Sequence, residues 1–578
     1  MLDGCAGMTG HDARSLLAPA LTVSFNVKQV QFSWDTVSGA TFYRLLENPD
    51  GVSGYVPLAT KLTTPGYHHN ISLYQRINAS YILQACNDAG CTASSPYSLG
   101  THFTQAIGYI KASNTQANDV FGAALALSDD GNTLAVGAPW EHRAAALDNR
   151  AVYSGAVYVY VRTPEDKWAQ QATIKASNIG AGDRFGTALT LSNDGNTLAV
   201  GAPLEDSAAT GVNGHQSDNS ATDSGAIYIY TRSTTGVWFQ RAYVKAPNTD
   251  VHDEFGIALT LSGDGNTLAV GSPHEGSAAS GVNGNQADNS AINSGAVYVY
   301  TRSSEGMWSQ HAYVKASNTQ NDDGFGAALA LSADGNMLVV GAPNEDSAAT
   351  NINGNQADNT AFDSGAVYLY MRNEKNIWSQ HAYIKTSNSQ EGDQFGIKLA
   401  LSGDGHTLAV GAIGEDSAAT GINGKQADNA ALDSGAVYVY TRSGIKWSQQ
   451  AYIKASNTQV GDYFGATVVL NNNGTLLAAS ARLEDSMAIG INAKPHDNTA
   501  RDSGAVYLYT RNGGTWSHHA YIKASNTGAF DEFGAALALS GDGHTLAVGA
   551  TGEDSIATGI NSNQDNNNAA GSGAVYLY

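Results

Sequence analysis

The chain is short of cysteine, proline and positive charge. Three cysteines occur in 578 residues, Cys5, Cys86 and Cys91, which excludes a disulfide-rich scaffold and a multi-cysteine metal centre. Cys86 and Cys91 stand in QACNDAGCTA, five apart across an expected tight turn. They either close a small disulfide in an oxidising compartment or remain two free thiols. Proline is scarce at 12, and charged residues make up only 14%. Lys and Arg number 30 against 52 Asp and Glu, a net charge of −22. A surface of that sign repels nucleic acid and anionic lipid, because each phosphate contact needs a cation. There is no run of 18 apolar residues, so no helical membrane span is expected. Also missing are G-x-S-x-G, H-E-x-x-H and a cysteine with a partner histidine, the usual marks of hydrolytic sites.

What is plentiful is glycine (64) and tyrosine (28), with 42% hydrophobic residues. That mix suits short strands and tight turns. Self-comparison shows a repeat. Phe-Gly followed by an alternating apolar run begins at Phe121, Phe185, Phe255, Phe325, Phe395, Phe464 and Phe533. Each unit then reads GDGNTLAVGAP, a long acidic loop, SGAVYVYTR and WSQQAYIKASN. Four strands per unit follow. The Asp-Gly-Asn step between the first two is a hairpin turn, since Gly and Asn tolerate positive φ. Small residues in the first two strands and aromatics in the last two make a sheet narrow at one edge and wide at the other, as in a propeller blade. Strands one and three occur seven times, but strand four follows only six of the strand threes. The missing copy is TQAIGYIKASN, Thr104 to Asn114, ahead of the first Phe-Gly. We therefore expect an all-β protein with a seven-bladed β-propeller over 104–578, closed by this N-terminal strand, which leaves no open ring edge. A linear β-solenoid is the competing architecture.

The Phe-Gly and Gly-Ala-Pro pairs resemble the FG-GAP repeat of integrin α-subunit propellers and their bacterial relatives. They stand as Phe121-Gly122 with Gly137-Ala138-Pro139, Phe185-Gly186 with Gly201-Ala202-Pro203, and Phe325-Gly326 with Gly341-Ala342-Pro343. Copy three has Gly-Ser-Pro, and copies five to seven replace the Pro by Ile413, Arg482 and Thr551. The resemblance implies a propeller and a binding or adhesive role outside the cytoplasm, on a bacterial cell surface, in the periplasm or secreted. The integrin calcium loop between strands one and two does not carry over, because SDDGNT, SNDGNT and SGDGNT are too short to supply six oxygens to one ion. Residues 17–103, with VQFSWDTVSGATFYRLLEN and ASYILQACNDAGCTASSP, resemble a fibronectin type III β-sandwich, placing Trp34 on the second strand and Tyr81 near the start of the sixth. Residues 1–16 are expected to be a disordered segment. No ordinary signal peptide is present, yet MLDGCAG resembles the end of a bacterial lipoprotein signal. If the true start lies upstream, Cys5 is an expected lipid-anchor position.

Blade geometry puts the acidic loop and the KASNTQxxDxF loop on one face, and the DGN turns with Arg162, Arg232, Arg302, Arg372, Arg442 and Arg511 on the other. Crowded carboxylates repel unless cations or donors neutralise them. One expectation is that each acidic loop folds around Ca²⁺. Its ligands would be Asp183, Glu205, Asp206, Asn213, Asp218 and Asp223 in copy two. In copy four they would be Asp323, Glu345, Asp346, Asp358 and Asp363, and in copy five Asp393, Glu415, Asp416, Asp428 and Asp433. The other is that Asp, Asn and Ser cap turns by accepting from nearby amides. The Asp two residues before each Phe (119, 183, 253, 323, 393, 462, 531) fits a structural task, since seven copies of a catalytic acid have no use. Copy one has the shortest acidic loop and carries Trp140, His142 and Arg143, a candidate contact site for a protein or glycan on a cell surface. A non-enzymatic binding or adhesion protein is the expectation. The alternatives are a polysaccharide lyase or hydrolase working in the channel and a structural matrix protein. An enzyme needs a residue that breaks the repeat and points into the channel, and the sequence offers none that stands out.

Overall fold

The computed structural model describes residues 16–142, 152–495 and 497–578. Cys5 and Arg143 fall outside them. The chain divides into two compact units, Met1–Gly108 with Tyr578, and Tyr109–Leu577. Almost all regular structure is β, and no helix among the described residues is long and apolar enough to cross a membrane.

The first unit contains two antiparallel sheets. Leu21–Asn26, Gln29–Trp34 and Gly66–Asn70 form one. Val56–Leu62, Phe42–Asn48, Ser80–Asn87 and Gly90–Ala93 form the other, with Tyr97–Ser98 added against Ser80–Asn87. Trp34 and Tyr81 are both buried, and Trp34 ends the second strand. The Tyr81 hydroxyl donates to Glu47 Oε1 (3.0 Å). Cys86 and Cys91 are cross-strand partners and form a disulfide.

Among the described residues, the second unit forms seven antiparallel four-stranded sheets. The fourth is representative, with strands Ala328–Leu331, Met337–Ala342, Ala366–Arg372 and Trp378–Ile384 in that spatial order. Six sheets take their four strands from consecutive sequence. The last is built from Phe533–Leu539, Leu546–Ala550, Ala574–Leu577 and, as its fourth strand, Gly108–Ile110. Strand one of each sheet lies against strand one of the next, and Phe533–Leu539 lies against Ala124–Leu127 of the first sheet. Strand-one residues of all seven sheets line a common narrow cavity of about 220 Å³.

The repeated motif has a packing cause. Phe325 is fully buried and meets the rings of Tyr368 and Tyr370 edge-on at 5.3 and 6.2 Å, a geometry that aromatic quadrupoles favour. Gly326 has φ +98°, and a Cβ there would stand 2.6 Å from the Ala296 carbonyl of the preceding sheet. At Gly341 a Cβ would overlap the Gly396 carbonyl of the following sheet. Phe-Gly and Gly-Ala therefore permit close approach of neighbouring inner strands, and the Phe ring plugs the seam behind them. Backbone bonds stitch the seam, as from Phe395 N to Ser364 O (3.1 Å).

At the end of each sheet with the DGN turn, Arg372 Nε donates to Asn336 Oδ1 (3.0 Å) and the guanidinium lies 5.5 Å from the Trp378 ring centre. Arg232 and Arg302 repeat both contacts. These arginines sit at the end opposite the acidic loops, as the two-sided pattern of the repeat implies.

Candidate functional site

The acidic loops hold a buried network that recurs from sheet to sheet. In the fourth sheet Glu345 follows strand two and is 1% exposed. Its Oε2 accepts from Lys385 Nζ (2.9 Å) and the Ser347 amide (3.2 Å), and its Oε1 from the Tyr383 hydroxyl (2.8 Å). A further donor reaches Oε1 from the preceding sheet, Asn318 Nδ2 (2.9 Å). Lys385, itself fully buried, also donates to Ser364 Oγ (2.8 Å). Asn318 Oδ1 in turn accepts from the Tyr368 hydroxyl (2.7 Å). The lysine of IKASN thus neutralises the glutamate of the acidic loop, and the asparagine ties neighbouring sheets together. Lys245 with Glu205, Lys315 with Glu275, Lys454 with Glu415 and Lys523 with Glu484 repeat the pair. In the last sheet the lysine is Lys111, whose Nζ donates to Glu553 Oε2 at 2.7 Å from 442 positions away in sequence. In the first sheet Lys175 pairs with Glu141, but Thr173 replaces the tyrosine.

Most of the side chains expected to hold calcium are engaged otherwise, whereas Asp363 and Asp433 are bonded, among the described residues, through their backbone alone. Asp206, Asp346 and Asp416 accept from the amides of Asp223, Asp363 and Asp433 (3.0, 2.9 and 2.8 Å). Asn213 Oδ1 accepts from Tyr243 N (3.0 Å). Asp218 and Asp428 accept from amides two residues on, and Asp358 from the Thr360 hydroxyl. Asp183, Asp323 and Asp393 accept from the amides of Gly180, Gln320 and Gln390 (2.8, 2.9 and 2.9 Å). Among the described residues no three His, Cys, Asp or Glu side chains gather as metal ligands. Calcium needs six to eight converging oxygens, and Glu205, Glu345 and Glu415 already face a lysine. This donor set does not fit the ion. Adding excess EDTA is expected to leave the melting temperature unchanged within about 1 °C, because a lysine of the fold already faces each of these glutamates. A clear fall in a calorimetric scan would show that the loops need one.

The Asp before each Phe is buried without a full charge partner, and burial raises it. Asp119 is pushed up to about 6, Asp183, Asp253 and Asp531 to about 7, and Asp323, Asp393 and Asp462 to about 8. Perturbed acids often mark catalytic sites. Here the same environment recurs in all seven sheets, which identifies a structural group.

Function is better sought where the repeat is broken at the same end. Three positions meet at each seam: the residue two after Gly-Ala, the residue before Ser-Gly, and the residue before Phe-Gly of the next sheet. Between sheets one and two these are Trp140, Tyr153 and Arg184. Trp140 and Tyr153 are 39% and 42% exposed. Their rings lie 5.6 Å apart, His142 is 5.7 Å from Tyr153, and the Arg184 guanidinium lies 5.4 Å from the Trp140 ring centre. Tyr153 sits at φ +54°, where the other repeats carry Asp, Asn or Gly, the residues that tolerate this region. Trp140 and His142 of the sequence-derived candidate site are thus brought together. Tyr153 and Arg184 join them, and Arg143 lies outside the described residues.

Between sheets five and six the same positions are Gly414, Asp433 and Tyr463. With no side chain at 414, a cavity of about 480 Å³ opens, walled also by Gln394, Lys398 and Arg482. Lys398 begins strand one of sheet five and also lines the cavity shared by all seven sheets. It is therefore a repeat-breaking residue of the shared cavity, of the kind that the sequence reading did not single out.

The FG-GAP repeat family matches residues 107–160, 168–230, 308–370, 378–440 and 516–578, more than half of the chain. The chain belongs to the FG-GAP repeat family. Each matched FG-GAP segment runs from strand four of one sheet into strand three of the next, so the five segments reach all seven sheets. No curated protein matches the chain. Among solved structures, the FN1–FN3 domains of chicken CNTN1 share 10% identity over 53% of this FG-GAP chain and 99% of that one, with a TM-score of 0.13. A Ca²⁺-stabilised adhesin with which an Antarctic bacterium reaches out and binds ice shares 10% identity over 88% of this chain and 99% of that one, with a TM-score of 0.12. At such TM-scores neither likeness bears on function.

Proposed function

We propose that this FG-GAP protein is a non-enzymatic, extracytoplasmic binding or adhesion protein. Its seven sheets are the blades of a closed seven-bladed propeller, sealed by Gly108–Ile110, and its first unit is a fibronectin type III-like spacer. The ligand, a protein or glycan on a cell surface, docks at the end of the propeller that carries the acidic loops. One observation carries this reading. The recurrent acids at that end are bonded internally, while the side chains that break the repeat there are exposed, aromatic and clustered. Trp140, Tyr153, His142 and Arg184 offer two ring faces with hydrogen-bonding groups at their edges, which suits a sugar ring or a peptide side chain. The Cys86–Cys91 disulfide supports an oxidising compartment.

The test is a glycan and surface-protein array probed with the whole chain, with calcium and with EDTA. Trp140→Ala is expected to weaken capture of the positive ligand by roughly tenfold or more, the usual effect of truncating an aromatic hot spot. Its melting temperature should stay that of the parent, since the ring is half exposed. An array without a single ligand, or a ligand held equally well by the variant, would refute the assignment.

A further inference from the structure

The cavity between sheets five and six collects two cations that the rest of the repeat does not have. Lys398 stands where the other six copies carry Ala124, Ala188, Ala258, Ala328, Thr467 and Ala536. Arg482 stands where they carry four prolines, Ile413 and Thr551. Both line the same cavity, although they come from different sheets. Among the described residues neither side chain has an ion-pair or hydrogen-bond partner, in a protein whose net charge is −22. Both cations are thus left available to a ligand in the cavity. Lys398 and Arg482 are both exposed at the cavity wall, and each lies within the other's field. Asp433 shares the wall but forms no ion pair with either cation among the described residues. Two like charges that face one cavity repel, and an anion entering between them relieves that repulsion.

We propose that the Lys398–Arg482 cavity is a binding subsite for the carboxylate of an acidic sugar unit. This deepens the reading of the protein as a surface-binding propeller and rests on it. At about 480 Å³ the cavity lies within the usual range for small-ligand sites, and it is wider than a single peptide carboxylate side chain needs. Arg482 presents a planar fork matched to a carboxylate, and Lys398 a point charge beside it. Asp433 and Gln394 offer acceptors and a donor for ring hydroxyls, and Tyr463 a ring. The same wall thus combines what a carboxylate requires with what a polyhydroxylated ring requires.

The experiment is isothermal titration of the full chain with tetragalacturonate, with its methyl ester, with a sulfated neutral tetrasaccharide and with a glutamate-rich peptide. Tetragalacturonate is expected to bind, and the uncharged ester to bind at least about tenfold more weakly. Lys398→Ala and Arg482→Thr place residues that other repeats of this chain already hold there, so both should fold and melt as the parent does. Each is expected to weaken tetragalacturonate binding by roughly tenfold, and the double variant to abolish it. Absence of binding, equal binding of the ester, or unchanged binding by the double variant would overturn the proposal. So would preference for the sulfated sugar or the peptide. Trp140→Ala should leave tetragalacturonate binding intact, so loss of array capture in that variant and failure of this subsite are separate outcomes.

Discussion

Lys385→Met is expected to destabilise the protein by about 3–5 kcal/mol, among the largest effects of any single substitution in the seven sheets. Met fills nearly the same space, so the loss is electrostatic. Glu345 would remain 1% exposed with its counter-ion gone, still accepting from Tyr383, Asn318 and the Ser347 amide, and those neutral donors do not replace a full positive charge. A calorimetric scan should show a fall of about 3–5 °C, because an unfolding entropy of about 2 cal/mol/K per residue over the second unit makes each kcal/mol worth about 1 °C. The double variant Lys385→Met with Glu345→Gln should recover much of it, because removing both charges avoids the desolvation penalty while an amide oxygen still accepts from Tyr383. Asp166→Asn serves as a contrast, since it breaks the exposed Arg162–Asp166 pair at 3.5 Å and should cost well under about 1 kcal/mol. A Lys385→Met protein that melts within about 2 °C of the parent would mean that the network does not hold the sheets together.

The repeat made the strand count legible, because alternation, Asp-Gly turns and Phe-Gly recur at nearly constant spacing. The seven four-stranded sheets follow that reading, and the sheet that takes its fourth strand from Gly108–Ile110 was visible as a missing copy of one motif. The buried ion pair was less legible. Its lysine and glutamate stand 39 or 40 positions apart in five of the sheets and 442 apart in the last, and the glutamate was counted among the candidate calcium ligands. The usable signal was covariation within the chain. Wherever the Glu of the acidic loop recurs, a Lys recurs at the end of strand four, so a charge of each sign travels with the other. Pairing is the cheaper solution for such a set, because a lysine already supplied by the fold needs no ion from solution.

The residues that break the repeat were harder to read for a different reason. Trp140 and His142 stood out because an aromatic and an imidazole are conspicuous in a loop of Asp, Ser and Asn. Tyr153 and Arg184 meet them only across a seam between sheets, and the backbone φ of +54° that aims Tyr153 at Trp140 is invisible in sequence. Lys398 looked like one substitution in an apolar strand, and Arg482 like one lost proline. Their meaning is a property of register, since only the pairing of Lys398 with Gly411 places its side chain on the inner wall, facing the cation from the next sheet.

Stability is expected to fall as pH rises from about 4 to 8, the reverse of the usual acid lability of a carboxylate-rich protein. The seven buried aspartates have values of about 6 to 8 in the folded state, raised by burial, against about 4 in an unfolded chain. Below that unfolded value both states hold the proton, and the stabilisation is fully present. Between about 4 and the folded value the native protein keeps a proton that the unfolded chain has released, so each group costs about 1.4 kcal/mol per pH unit. Once pH exceeds about 8 the contribution is gone. The carboxylates of the DGN turns, lowered by Ser and Asn donors, act at more acid pH. The buried lysines, drawn down from the usual lysine range by burial, act on the alkaline side and with the opposite sign. One lysine stands beside two buried carboxylates, and it bonds the glutamate while burial raises the aspartate. Melting temperature measured from pH 5.5 to 8.5 should therefore decline. Asp323→Asn, Asp393→Asn and Asp462→Asn together should flatten the decline, since an amide oxygen can still accept from Gln320, Gln390 and Gln459 without titrating. A parent curve that is flat or rises over this range, or a triple variant with the parent's slope, would show that these aspartates are ionised in the folded protein and that a neutralising partner other than the proton sits beside them.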